Sequence, residues 1–262
     1  MAPAKEPLVL IHGFSGTPVM WEPVAPLLAE RFELHVVTLV GHCGGPSLPD
    51  GVQASASAIA DDLERQMDEL GLETAHLCGN SLGGWMALEL ASRGRARSVV
   101  ALAPAGGWEQ GSREEKRLAR LFKRQYRMTR FAGPRAERFV RRPGMRRFAM
   151  RDACVHGDRF TAEQAAAIIR GSYDCPIYLD FIEAAQRDGP PTFVPADVPV
   201  RIVWGTRDRI LPHGRYSQKV RDQLPAAEYV ELDGLGHVPM VDDPEAIARM
   251  VAEVTARAPV TA

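Results

Sequence analysis

The chain has 262 residues, of which 45% are hydrophobic and 25% are charged, a profile typical of one globular domain or of one domain with a modest insertion. Its formal net charge of −1 excludes a whole-molecule field that would attract nucleic acid or an anionic membrane. The apolar run at residues 8–11 is too short for a secretory signal or a membrane span. We therefore predict a cytoplasmic protein with no nucleic-acid partner and no integral membrane segment.

Short β-rich runs alternate with helical segments before residue 104 and again after residue 198, which predicts a parallel sheet with helices on both faces. Several runs are continuously apolar, as expected where both faces of a sheet are covered. The predicted strands are residues 8–11, 34–38, 75–78, 98–102, 200–204 and 227–232. The predicted helices are residues 21–31, 54–70, 84–92, 214–223 and 244–256. The predicted fold class is therefore α/β.

Residues 105–195 interrupt this alternation, because they have almost no strand signal and permit helix throughout. We predict a helical cap inserted at residues 105–195 of a core formed by residues 1–104 and 196–262. Between residues 113 and 151 there are 15 Lys or Arg and three Glu, an excess of 12 positive charges. Two interpretations stay open: a solvated helical face, or a basic lid that attracts anionic substrates or a lipid surface.

Four cysteines lie far apart, and none belongs to a C-x-x-C pair or lies at metal-binding spacing from a histidine. Neither a zinc site nor a disulfide framework is indicated, and reduced thiols fit the predicted cytoplasmic location. We expect no metal and no organic cofactor. The cysteines are Cys43, Cys78, Cys154 and Cys175.

The segment Gly-Asn-Ser-Leu-Gly at residues 79–83 follows a predicted strand and opens a predicted helix. This is the context that the G-x-S-x-G motif requires, because a sharp turn between strand and helix exposes the serine hydroxyl. The two flanking glycines leave room where the turn brings backbone segments together. We predict that Ser81 is a nucleophile and that the Leu82 N–H can stabilise a developing alkoxide.

The segment Ile-His-Gly-Phe at residues 11–14 ends the first predicted strand. A turn at this position can supply the second oxyanion donor, so we assign that role to the Phe14 N–H. In this arrangement the backbone of the turn binds the oxyanion, and the imidazole transfers no proton. We therefore expect His12 to have a structural role.

Two further segments each follow a predicted strand and supply a polar side chain. Asp208 follows the strand at residues 200–204, and His237 follows the last strand. The chain order Ser81, Asp208, His237 is the nucleophile, acid and base order of one hydrolase fold, and differs from the chymotrypsin and subtilisin orders. We predict that His237 is the general base and that Asp208 orients it.

With these four segments, the sequence resembles the α/β-hydrolase superfamily over nearly its whole length. The resemblance implies a mainly parallel sheet with a helical cap after the sixth family strand, where the basic segment falls. The sequence starts at what resembles the third family strand, so the antiparallel first pair is expected to be missing. In some relatives the acid follows the strand before the cap, but residues 103–107 contain no carboxylate. Residues 41–45 resemble the G-H-G loop of the family in altered form. The resemblance implies that His42 is either a structural residue or a pocket residue.

The default activity is hydrolysis of a small-molecule carboxylic ester, with an anionic ester as one option. Two alternatives stay open: cleavage of a carbon–carbon bond in a dienone acid, and a non-catalytic small-molecule receptor on the same fold. Haloalkane dehalogenases and epoxide hydrolases of this superfamily use a carboxylate nucleophile, which Ser81 does not match. No oligomeric state follows from the sequence. Residues predicted to bind substrate are Trp21, Trp85, Trp108 and Met240.

Overall fold

Six strands form one sheet in the computed structural model, which describes residues 5–194 and 196–259, without the Pro134 side chain. The order across the sheet is β2-β1-β3-β4-β5-β6, and all neighbouring pairs are parallel. The predicted α/β class and each predicted strand are confirmed within a few residues. The strands are β1 (Glu6–Ile11), β2 (Phe32–Val37), β3 (Ala75–Asn80), β4 (Ala96–Leu102), β5 (Val200–Gly205) and β6 (Glu228–Leu232).

Alternate side chains of the central strands enter two separate cores. In β1, Val9 and Ile11 belong to one core, whereas Leu8 and Leu10 belong to the other, because successive side chains of a strand point to opposite faces. Helices cover both faces, which explains why these strands are apolar throughout. One core packs against α2 (Ala56–Glu69), α3 (Leu82–Ser92) and α8 (His213–Gln223), and the other against α1 (Ala25–Ala29) and α10 (Pro244–Thr255).

The helix predicted at residues 21–31 is wrong in its length. The structure has a short 3-10 turn at Pro18–Trp21, and α1 follows only at Ala25–Ala29. Pro23 lies between the two, and Pro26 occupies the first turn of α1. Proline lacks a backbone N–H and its ring clashes with the preceding helical turn, so Pro23 interrupts the helix predicted across it.

Helices occupy the chain between β4 and β5, as predicted for residues 105–195. Ser112 and Thr161 accept a backbone N–H at two of the helix starts. Gly133 has φ 43° and ψ −136°, which kinks α4 at a backbone conformation that glycine tolerates best. The division into core and cap stays a prediction, and its limit at Pro195 lies outside the described residues. The helices are α4 (Arg113–Phe139), α5 (Pro143–Ala149), α6 (Ala162–Tyr173) and α7 (Tyr178–Asp188).

The carboxyl ends of the parallel strands meet at one edge of the sheet, where ligands bind in open α/β sheets. Ser81 directly follows β3, Asp208 lies in the turn after β5, and His237 lies between β6 and α9 (Pro239–Asp242). The fold therefore gathers residues that are distant in sequence. No helix within residues 5–194 and 196–259 is both long enough and apolar enough to span a bilayer.

Candidate active site

Ser81 has an unusual backbone conformation at the junction of β3 and α3. Its φ of 58° and ψ of −116° lie where residues other than glycine are strained. The Ser81 N–H donates to the Leu102 carbonyl at 2.9 Å, and its carbonyl accepts the Ala105 N–H at 3.0 Å. The end of β4 and the loop after it thus hold the serine from both sides of its backbone. This arrangement stabilises a turn that would otherwise relax.

The glycines that flank Ser81 are required by close backbone contacts. A Cβ at Gly79 would lie 2.0 Å from the Gly83 carbonyl oxygen, and a Cβ at Gly83 would lie 2.1 Å from the Ile11 carbonyl oxygen. Both neighbours are backbone atoms, which cannot move aside as a flexible side chain can. The predicted need for glycine at both positions is confirmed.

Replacement of Gly83 by alanine is expected to lower the free energy of unfolding by about 3 kcal/mol or more, because the added methyl group overlaps β1. Urea unfolding followed by circular dichroism measures this change. Gly214→Ala is the matched control, because position 214 lies in the first turn of α8 with no heavy atom within 4 Å of an added Cβ. That control should be neutral or more stable by up to about 1 kcal/mol. Equal effects of the two substitutions would contradict the steric argument.

The turn after β1 brings a second backbone segment to the serine. A Cβ at Gly13 would lie 3.1 Å from the Ser81 Cβ, so the turn contacts the serine itself. Within the described part of the chain, the Phe14 and Leu82 N–H groups have no hydrogen-bond acceptor in the protein. The first N–H groups of a helix lack internal partners, which explains the free amide of Leu82. Both predicted oxyanion donors are therefore left without a protein acceptor, and their role stays a prediction.

The rings of His12 and His42 are buried and form hydrogen bonds to backbone atoms. The His12 Nδ1 donates to the Gly13 carbonyl at 2.8 Å, and its Nε2 accepts the Leu39 N–H at 3.2 Å. Burial, together with the nearby His42 ring, lowers the pKa of His12 to about 3. Burial likewise lowers the pKa of His42 to about 4, and its Nδ1 donates to the Val40 carbonyl at 3.1 Å. Both rings are neutral at pH 7, which agrees with the predicted structural role of His12.

His237 and Asp208 form a buried pair. The His237 Nδ1 donates to Asp208 Oδ2 at 2.7 Å, and neither side chain is exposed by more than 4%. The other carboxylate oxygen, Oδ1, accepts the N–H groups of Ile210 and Leu211 at 2.9 and 2.8 Å. With its proton on Nδ1, the ring keeps Nε2 unprotonated. This nitrogen can then act as a general base.

A pocket with mainly apolar walls begins at Ser81. Four of its side chains come from one face of α4, at the helical spacing 115, 118, 119 and 122. The remaining walls come mainly from the turn after β1, from α3, from α7 and from the turn that carries Asp208. The space beside the serine is therefore lined mainly by apolar side chains.

A model of the alpha/beta hydrolase family matches residues 8–250 of the chain. The chain belongs to this family. Among the relatives of this alpha/beta hydrolase is a protein of Mycobacterium tuberculosis named epoxide hydrolase EphH, which is 37% identical over 199 residues, 75% of this chain and 93% of that protein. A putative carbamate hydrolase, RutD of Stutzerimonas stutzeri, is 25% identical over 246 residues, 94% of this chain and 89% of that protein.

The fold of this alpha/beta hydrolase also occurs in solved structures of other proteins. A thermophilic esterase from Thermogutta terrifontis superposes with a TM-score of 0.71 at 23% identity, and the match covers 95% of this chain and 89% of that chain. The family places this chain among hydrolases.

Of the four residues predicted to bind substrate, Trp85 and Trp108 line the pocket. Phe14, predicted to supply a backbone donor, also lines the pocket. Trp21 and Met240 require a correction. Both are 0% exposed and pack in the core on the opposite face of the sheet from Trp85, and neither lines the pocket. Their nearness to motif residues in sequence did not reveal on which side of the sheet they lie.

Sequence reasoning missed Asn80, which connects the serine turn with the histidine loop. Its side-chain Nδ2 donates to the His237 carbonyl at 2.8 Å and to the Leu102 carbonyl at 3.2 Å, and the residue is 0% exposed. The signal available in the sequence was a polar side chain at the end of a strand that is otherwise buried. Its partners are distant in the chain and could not be inferred from it.

Asp242 was missed as well, and it holds the other side of the same loop. Its carboxylate accepts the Gly236 N–H at 2.8 Å, and it also accepts the Val155 and His156 N–H groups at 2.9 and 2.7 Å. A buried carboxylate with three amide donors is well satisfied. Asp242 therefore fixes the residue before His237 to the segment between α5 and α6.

The basic side chains of α4 lie away from the pocket. Arg120 and Arg124 are exposed, on the helix face opposite to Leu118 and Phe122. Arg117 is different, because its guanidinium donates to the carbonyls of Arg209 and Ile210 at 2.7 and 2.9 Å. It thus attaches α4 to the turn that carries Asp208. A lid that attracts anionic substrates stays a prediction, and it would have to act from this outer face.

Proposed function

We propose that this protein is a serine hydrolase that cleaves a carboxylic ester through an acyl-enzyme. The buried pair of His237 and Asp208 carries the proposal, because it leaves an unprotonated Nε2 at the same edge of the sheet as Ser81. The free N–H groups of Phe14 and Leu82 beside the serine support it. Each group needed for acyl transfer is thus supplied by the protein itself.

In the first step, His237 Nε2 takes the proton of the Ser81 hydroxyl while Oγ attacks the ester carbonyl carbon. The carbonyl oxygen becomes negatively charged and accepts hydrogen bonds from the Phe14 and Leu82 amides. The intermediate then expels the alcohol, which receives its proton from the imidazolium. Asp208 stabilises that cation while it stays ionised itself.

In the second step, a water molecule repeats the sequence against the acyl-enzyme. His237 takes a proton from the water, the new oxyanion occupies the same two amides, and Ser81 leaves with the proton from the imidazolium. The acid is released and the serine is regenerated. The acyl chain stays bound beside Ser81 through both steps, so we assign the apolar pocket to it.

Epoxide opening is the second candidate, because the relative of Mycobacterium tuberculosis that is 37% identical is named an epoxide hydrolase. Attack of Ser81 on an epoxide carbon would produce an ether, which a second water molecule does not readily cleave. An epoxide hydrolase with this site would instead need His237 to activate water directly. Turnover of an epoxide would then survive the loss of the serine hydroxyl, whereas turnover of an ester would not.

A panel of substrates tests these proposals against each other. The protein is incubated with a fluorophosphonate probe and, separately, with p-nitrophenyl esters of graded chain length, an aryl carbamate, styrene oxide and a dienone acid. Rapid labelling at Ser81 together with ester turnover is the expected result. Preferred turnover of the epoxide, the carbamate or the dienone acid would replace the ester assignment. Labelling with negligible turnover of any substrate would favour a receptor.

A further inference from the structure

Two buried polar atoms in the wall of the apolar pocket have no partner. Glu115 and Trp108 both line the pocket, and each is 6% exposed. Within the described part of the chain, the Glu115 Oε1 and the Trp108 Nε1 have no hydrogen-bond partner. A buried polar atom without a partner costs free energy. Of the eleven such side-chain atoms among the described residues, these two belong to residues that line the pocket.

The position of Glu115 points it toward the pocket. It lies on the same face of α4 as Leu118, Ala119 and Phe122, which also line the pocket. Its other oxygen, Oε2, accepts the Gly111 N–H at 2.7 Å, so the carboxylate is held at one end. The local contact at the start of α4 uses only Oε2. Oε1 stays available as an acceptor.

Trp108 supplies the complementary group. Its ring packs edge to face against Trp85, with the ring centres 6.3 Å apart, and the Trp108 carbonyl accepts the Lys219 Nζ at 2.8 Å. These contacts fix the indole without using its N–H. The residues of the pocket wall therefore carry one acceptor and one donor that no protein group uses. Among small neutral groups, a hydroxyl can donate to the carboxylate and accept from the indole.

We propose that Glu115 and Trp108 form a polar subsite that binds a hydroxyl group on the acyl chain of the ester. This inference rests on the proposed function, because it concerns the chain that stays beside Ser81. It adds a substrate class, the esters of hydroxylated acids. A carboxylate at this place also disfavours an acyl chain that ends in a negative charge. An anionic group would have to lie elsewhere on the substrate.

Matched esters test the subsite. Three p-nitrophenyl ester series of graded chain length carry a terminal hydroxyl, a terminal methyl ether or a terminal methyl group. At the best chain length, the hydroxy ester is expected to have a kcat/KM at least about tenfold above the methyl ether, because the ether cannot donate to Glu115. Equal turnover of all three series would overturn the subsite and leave the esterase proposal intact. Turnover of none would overturn the esterase proposal itself.

Variants assign the effect to the two side chains. In Glu115→Gln, the amide oxygen can still accept the Gly111 N–H, and the amide NH2 then replaces the free acceptor by a donor. The preference for hydroxyl over methyl ether should fall to about onefold, because the ether can accept from the new donor. Trp108→Phe should lower turnover of both the hydroxy ester and the methyl ether relative to the methyl-terminated ester, because both oxygens accept from the indole N–H. An unchanged hydroxyl-to-ether preference in Glu115→Gln, or unchanged relative turnover in Trp108→Phe, would overturn the proposal.

Discussion

Replacement of Ser81 by alanine is expected to lower kcat for p-nitrophenyl esters by about 10⁵- to 10⁶-fold, as for other serine nucleophiles of this kind. The substitution removes Oγ while the Phe14 and Leu82 amides remain, so a small oxyanion contribution persists. Steady-state kinetics and fluorophosphonate labelling measure the loss. Ester turnover should fall by this factor and labelling should disappear, because the probe and the ester react with the same oxygen.

The matched control for this experiment is Ser92→Ala, at the other end of the same helix. Ser92 is exposed, and its hydroxyl donates only to the Glu89 carbonyl at 2.7 Å. Its kinetics should equal those of the unmodified protein, and circular dichroism should show that both variants fold. Persistent labelling of Ser81→Ala, or ester turnover above a tenth of the original rate, would refute the assignment of the nucleophile.

Replacement of Asp208 by asparagine is expected to lower kcat by about 10⁴-fold while the fold is kept. The asparagine oxygen should stay where Oδ1 is now, because the N–H groups of Ile210 and Leu211 donate to it. The amide NH2 then faces His237 Nδ1, which must become an acceptor and move its proton to Nε2. In this tautomer the ring cannot take the proton of Ser81.

Asp233→Asn is the control for this change of charge. Asp233 lies near the same turn, is exposed and accepts the Thr206 hydroxyl at 3.0 Å. Its kcat should change by less than about threefold, because it does not contact the imidazole. Comparable losses in the two variants would show that the charge near the turn matters, and not the hydrogen bond to His237. The measurement is kcat at saturating ester.

The sheet was predictable because several strands are short apolar runs between turns. The strands around β1 and β3 are buried on both faces, so their sequences carry a signal that does not depend on distant contacts. The helix at residues 21–31 failed for a local reason, since Pro23 and Pro26 break a segment whose apolar spacing suggests a helix. That correction was available in the sequence.

The candidate site was predictable only in part. Ser81, Asp208 and His237 each follow a strand in a recognisable local context, and their order along the chain adds information. Asn80 and Asp242 have no such context, because each is defined by backbone partners far away in the chain. The local sequence also cannot say which face of the sheet a tryptophan such as Trp21 will meet.

The hydrogen bonds of Arg117 limit how this hydrolase can be engineered. Since its guanidinium donates to the Arg209 and Ile210 carbonyls, α4 is part of the frame that keeps Asp208 in place. A chimaera that takes residues 105–195 from a relative must therefore supply an equivalent cation at this position. Without it, grafting a new specificity would also loosen the turn that carries Asp208 and slow every substrate alike.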